Sequence, residues 1–175
     1  MKSNYDVLGK YITPIDVRNS VCKEENLLGV TTQKCFIPSI ANTVGTDFSK
    51  YKVVRHGQFT YVPDTSRRGD RIAIALLQDC EEGLVSNIYT VFEVTNEKKL
   101  LPEYLMLWFK RTEFDRYARF KSHGSVREVF DWDELCKVEL PLPDITVQQS
   151  IVRAYNTIDC RIKRLRAIND NLRAA

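Results

Sequence analysis

No run of about eighteen apolar residues occurs in this 175-residue chain, and its opening, Met1 to Asp6, lacks the apolar stretch that a secretory signal needs. A membrane span and an export signal are therefore excluded from the reading, and a soluble cytoplasmic protein is expected. Glycine is scarce and dispersed. The seven glycines (Gly9, Gly29, Gly45, Gly57, Gly69, Gly83 and Gly124) stand about a dozen or more residues apart, so no glycine-rich loop can bring its backbone against a phosphate or an adenosyl group. Histidine is limited to His56 and His123, and the five cysteines (Cys22, Cys35, Cys80, Cys136 and Cys160) are odd in number and scattered. That spacing argues against a zinc module and a disulfide framework, and leaves reduced thiols used for packing as the expectation. Ser86 and Ser125 lack the flanking glycines of a nucleophile elbow. No catalytic residue, metal ligand or cofactor is assigned.

Hydrophobic residues make up 43% of the chain, so it has the composition of an ordinary packed core. Charge is mixed, with 26 Lys+Arg against 23 Asp+Glu, and the net +3 does not by itself announce nucleic-acid binding. Between Val53 and Val94 the runs Val53-Val54, Phe59–Val62, Ile72–Leu77 and Ile88–Val94 carry the β-branched and aromatic residues of strands. Pro102 and Glu103 then open a buried helix that reaches Phe109. A polar, basic stretch follows from Lys110 to Arg127, and Val138–Pro143 alternates like an edge strand closed by proline.

The C-terminal segment has the plainest periodicity. Thr146 with Gln149 forms a capping-box pattern that starts a helix from Val147 to about Leu172. Along it Ile151, Tyr155, Ile158, Ile162, Leu165, Asn169 and Leu172 alternate in steps of four and three, as on a coiled-coil seam. That seam asks for a second helix, and a homodimer is its simplest source. The alternative is an amphipathic helix folded back onto its own domain.

Three stretches in this order resemble the specificity subunit of type I restriction-modification systems. Val54-Arg55-His56-Gly57-Gln58-Phe59-Thr60-Tyr61, continuing through Arg67-Arg68-Gly69-Asp70, is similar to the family's strand of basic residue, glycine, any residue and phenylalanine, with its basic turn. Gly83–Val94 and Leu101-Pro102-Glu103-Tyr104-Leu105 are similar to its serine–tyrosine–phenylalanine strand and following helix. Val138–Pro143 with Gln148-Gln149-Ser150-Ile151-Val152 is similar to the junction between a target-recognition domain and a conserved helix, although Val147 stands where many members carry glutamate.

The resemblance implies an α+β fold: a mixed, β-rich target-recognition domain over 1–145 and a long coiled-coil helix over 146–175. It implies a non-catalytic reader of one half of a bipartite double-stranded DNA site. Its partners would be DNA, an adenine methyltransferase subunit and a restriction/translocase subunit. Members carry two recognition domains and two antiparallel helices, so this chain resembles a half-subunit or one half of a longer chain.

Duplex reading needs cations on phosphates and planar polar groups at base edges. Candidate contacts are Tyr61, Ser66, Arg67, Arg68 and Arg71 around the first basic turn; Lys121, His123, Ser125 and Arg127 in a second; and Gln33 and Lys34 in a third. Two other functions remain open on the residues: a protein-interaction scaffold with a helical arm that never touches DNA, and a small nuclease using Asp64 and Glu97. The latter pair reads more simply as turn chemistry, in Pro63-Asp64-Thr65-Ser66 and Asn96-Glu97-Lys98-Lys99.

Overall fold

The computed structural model describes residues 4–21, 25–40, 45–64, 71–122 and 128–174. Within them the strands, in chain order, are β1 (Tyr5–Val7), β2 (Ile12–Ile15), β3 (Leu28–Val30), β4 (Phe36–Pro38), β5 (Lys52–Arg55), β6 (Phe59–Tyr61), β7 (Ile74–Leu76), β8 (Glu82–Val85), β9 (Thr90–Val94) and β10 (Glu139–Pro141). The helices are α1 (Pro102–Phe109), α2 (Thr112–Lys121), α3 (Trp132–Cys136) and α4 (Ile145–Ala174). The architecture is α+β, with a β-rich region followed by a long C-terminal helix.

The principal sheet is antiparallel, in the order β2-β9-β6-β7. Its register sets Phe59 opposite Phe92, and the two rings stack with centroids 4.9 Å apart. Phe109 of α1 meets both edge-on, at 5.8 and 6.4 Å. This cluster, with Leu8, Ile72, Leu105, Leu135 and Leu140, is the main core. Each fully buried side chain of this size contributes roughly 1.5–3 kcal/mol relative to exposure. The buried helix expected after Pro102 is present: Pro102, Tyr104, Leu105, Met106 and Phe109 are all buried. β10 pairs with β1 at the edge, where Tyr104 donates its hydroxyl to the Pro141 carbonyl.

Two glycines in the family-like stretches have local physical reasons. Gly57 turns the chain between β5 and β6 at φ +81°, a conformation costly for other residues, while the buried Gln58 beside it accepts from Arg55 N and donates to Glu93. Gly83 lies under the β3–β4 hairpin, where an added Cβ would fall 2.3 Å from Leu28 Cδ1.

Several sequence expectations are corrected. The basic stretch after Lys110 contains a helix, α2, whose inner face buries Phe114, Asp115 and Ala118. The strand expected from Ile88 begins at Thr90, leaving Ile88 exposed in the preceding turn. α4 begins at Ile145, so Thr146 is already helical and its carbonyl accepts from Ser150 Oγ instead of capping the helix. The cysteines do not all pack: Cys35 and Cys160 are exposed, and Cys22 lies outside the described residues. No described helix is long and apolar enough to cross a membrane.

Candidate nucleic-acid interface

Ser66, Arg67, Arg68, His123, Ser125 and Arg127 lie outside the described residues. The backbone on either side of them is described, and those flanking residues come together. Asp64 forms an antiparallel bridge with Val129, and Phe130 N donates to the Pro63 carbonyl at 2.8 Å. The exit to 65–70 therefore lies beside the return from 123–127. The other two ends meet on α2. Ile72 N donates to Asp115 Oδ1 at 3.2 Å, and six residues further along the same helix Lys121 leads into the second segment.

The third candidate joins the same helix. Lys34, at the turn of the β3–β4 hairpin with φ +63°, donates its ammonium to Asp115 Oδ1 at 2.6 Å and also to the Phe109 carbonyl. Its charge lies 5.2 Å from the Phe114 ring centroid. Burial pushes the Lys34 pKa below the usual lysine value, and the attraction of Asp115 offsets only part of this. One carboxylate thus gathers the hairpin, the strand entry at Ile72 and α2.

Burial corrects two candidate contacts. Lys34 is an internal tie and is not free for a phosphate. Tyr61 is fully buried, with its ring edge-on to Phe92 at 6.1 Å, and burial raises its phenol above the ordinary tyrosine range. Alternation of strand faces in β6 did not identify Tyr61 as internal, because Phe59, Thr60 and Tyr61 are all buried. Gln33 and Arg71 are exposed and Lys121 is half-buried, with its ammonium 5.7 Å from the Phe120 ring centroid and 6.0 Å from that of Tyr117. Arg119 pairs with Glu128, drawing the end of α2 towards the Asp64–Val129 bridge.

Among the described residues no three His, Cys, Asp or Glu side chains gather as metal ligands. Asp64 takes part in the backbone bridge, with Thr65 and Ser66 outside the described residues, and Glu97 opens the turn before α1, as the turn reading of Asn96-Glu97-Lys98-Lys99 expects.

The second candidate surface is α4. Its base is fixed by Gln148, which is fully buried. Its Oε1 accepts from Leu101 N at 3.0 Å, and its Nε2 donates to the carbonyls of Lys99 and Pro143 at 2.8 and 2.9 Å. Val152 still packs on the core, and Lys110 sets its ammonium 5.2 Å from the Tyr155 ring. Beyond that the helix leaves the domain. Ile151, Tyr155, Ile158, Ile162, Leu165 and Leu172 are 39 to 71% exposed, and Asn169 is exposed with them. In this structure the stripe is not covered by the described residues of the domain. Ile168, absent from the strict seam, adds a further exposed apolar side chain beside Asn169.

Gln148, Asp115, Ile168 and Phe120 were all missed as sequence candidates. Of these, Ile168 carried a signal in its spacing, three residues from Leu165 and four from Leu172, and Gln148 in standing within the stretch that resembles the family's junction.

No family model matches the chain, and no curated protein matches it. Solved structures do. The HsdS subunit from Thermoanaerobacter tengcongensis is similar with a TM-score of 0.65 and 19% identity, over 94% of this chain and 44% of that one. The type I restriction-modification S subunit from M. genitalium gives 0.58 and 11%, over 95% and 42%. A chain from a type I R-M system, studied for complex assembly and conformational transition, gives 0.58 and 15%, over 92% and 39%. The likeness shows the fold. This chain spans less than half the length of each of these three chains.

Proposed function

We propose that this chain reads double-stranded DNA as a specificity element of a type I restriction-modification system, each copy addressing one half of a bipartite site. The observation that carries the proposal is the common root of its basic segments. The Asp64–Val129 bridge and the Ile72–Asp115 bond on α2 bring together the described residues that flank the two basic stretches, within a fold shared with type I specificity subunits. Arg67, Arg68, Arg71, Lys121 and Arg127 supply phosphate contacts in this reading, and Ser66, His123, Ser125 and Gln33 supply polar contacts. The chain itself is non-catalytic, and methylation and cleavage belong to separate methyltransferase and restriction/translocase subunits. Two copies pair their α4 seams antiparallel about a twofold axis, so that the site is a spaced inverted repeat.

Selection from a pool of random duplexes, with and without a type I methyltransferase subunit, tests the reading. A defined sequence should emerge, and its affinity should fall steeply with salt as phosphate contacts release counterions. Replacing Arg67 and Arg68 together by alanine should weaken binding and flatten the salt dependence by about two phosphate contacts' worth, a change of roughly 1.8 in the log–log slope. Selection of no sequence would favour the scaffold reading, in which the exposed α4 stripe alone does the work.

A further inference from the structure

We propose that Phe120 is a wedge that this protein presses into the base stack of its DNA, selecting the site partly by how readily one base step opens. The proposal rests on the DNA-reading role above.

Phe120 closes α2 and is 80% exposed, although the same helix buries Phe114 and Ala118. Among the described residues its ring is not part of the core and meets the ammonium of Lys121. Its surroundings separate it from the other exposed apolar residues. Ile158, Ile162 and Leu165 stand among their own kind on α4, as suits a protein partner. Phe120 stands instead beside cations: Arg116 is exposed one turn earlier and Lys121 follows directly, while the neighbouring Arg119 is paired with Glu128 and Lys121 lies within the field of Glu134. A surface that offers one exposed aromatic ring flanked by Arg116 and Lys121 is complementary to a polyanion with an apolar interior. A DNA duplex has that chemistry, with phosphates outside and π-faced base steps within.

The position fits as well. The Arg119–Glu128 pair sets the end of α2 beside the Asp64–Val129 bridge, the common root of both basic segments. An apolar side chain inserted there would partly unstack one step, which is least costly at pyrimidine–purine steps. Phe120 would then contribute specificity without a hydrogen bond to any base.

The test uses the full chain without a methyltransferase, so that no catalytic partner can extrude a base. Duplexes selected by the wild-type chain are resynthesised with 2-aminopurine at successive positions. Binding should brighten the probe at one step, and the selected sequence should hold a TA or CA/TG step there. Phe120→Ala should weaken binding about tenfold or more, abolish the brightening and lose the preference at that step, with the salt slope unchanged. Phe120→Leu should restore most of each. Because the ring is outside the core, both variants should melt with the wild type. Phe120→Ala binding within about twofold of wild type, or weaker binding with the fluorescence rise intact, would overturn the wedge while leaving DNA reading in place. A wild-type chain that selects no duplex would overturn both.

Discussion

Removing the Asp115 carboxylate should cost this protein much of its stability, and removing Lys34 along with it should restore a large part. In Asp115→Ala the Lys34 ammonium, with a side chain only 5% exposed, keeps the Phe109 carbonyl and the Phe114 ring but loses its counter-charge. Ile72 N loses its acceptor at the same time. Breaking a buried pair by deleting one partner costs about 3–5 kcal/mol, and an unpaired buried N–H about 1–3 kcal/mol. The two losses overlap, so about 4 kcal/mol is expected, against a typical domain stability of about 5–15 kcal/mol. Lys34→Met with Asp115→Leu leaves no buried charge and retains only the Ile72 N–H penalty, so the double variant should lose about 1–3 kcal/mol. Urea unfolding followed through Trp108 and Trp132 fluorescence measures both. A single variant that loses less than about 1 kcal/mol, or a double variant less stable than the single, would show that the hairpin, Ile72 and α2 are not held by this carboxylate.

Ile158→Asp and Ile162→Asp should each turn a dimer into a monomer in sedimentation, since each large aliphatic side chain buried on the seam is worth roughly 1.5–3 kcal/mol and a carboxylate there adds a desolvation cost. A wild-type monomer at tens of micromolar, a range set by the order of magnitude of routine sedimentation and unaltered by either change, would assign the stripe to a different protein. Asp6 should govern part of the acid limb. Hydrogen bonds from Lys10 and Tyr11 hold its carboxyl down at about 2, from an ordinary 3.8. A depressed carboxylate contributes stability above its unfolded pKa and loses it as pH falls through the folded value, so stability should decline between about 4 and 2. Asp6→Asn should flatten that segment of the pH profile, and an unchanged profile would refute the assignment.

The parts of the fold written in apolar pattern were legible. The strand at Phe59, the buried helix after Pro102, the edge strand after Val138 and the seam from Ile151 each show in the apolar and aromatic residues of one short stretch, whether those side chains are buried, as in β6, or exposed, as along α4. α2 was not, because six cations between Lys110 and Arg127 masked a short inner face of Phe114, Asp115 and Ala118. The strands β3 and β4 were hidden for another reason: three-residue strands offer at most one alternation, and the turn that joins them holds Lys34 at a positive φ that its residue type does not announce. The candidate interface was read by residue type alone, and residue type cannot distinguish a lysine on a phosphate from a lysine on an internal aspartate. Lys34 required the distant Asp115, 81 positions along the chain, to be placed beside it.

Polar ties and apolar exposure divide the work between the two ends of the molecule. Buried hydrogen bonds are directional, so Asp115 and Gln148 fix where segments leave the core and at what angle, which nonpolar packing does less sharply. Gln148 clamps the first turns of α4 to both Lys99 and Leu101, so the helix beyond Val152 extends from a defined base although little of its own surface touches the domain. Thirty residues at about 1.5 Å each make α4 about 45 Å long. Under the proposed antiparallel pairing, that length separates two recognition surfaces by about 13 base pairs at roughly 3.4 Å per pair. In the proposed reading, sequence choice resides in the basic segments that follow Asp64 and Ser122, while the spacing between half-sites resides in α4. The two can vary independently because Gln148, and not the reading surface, joins them.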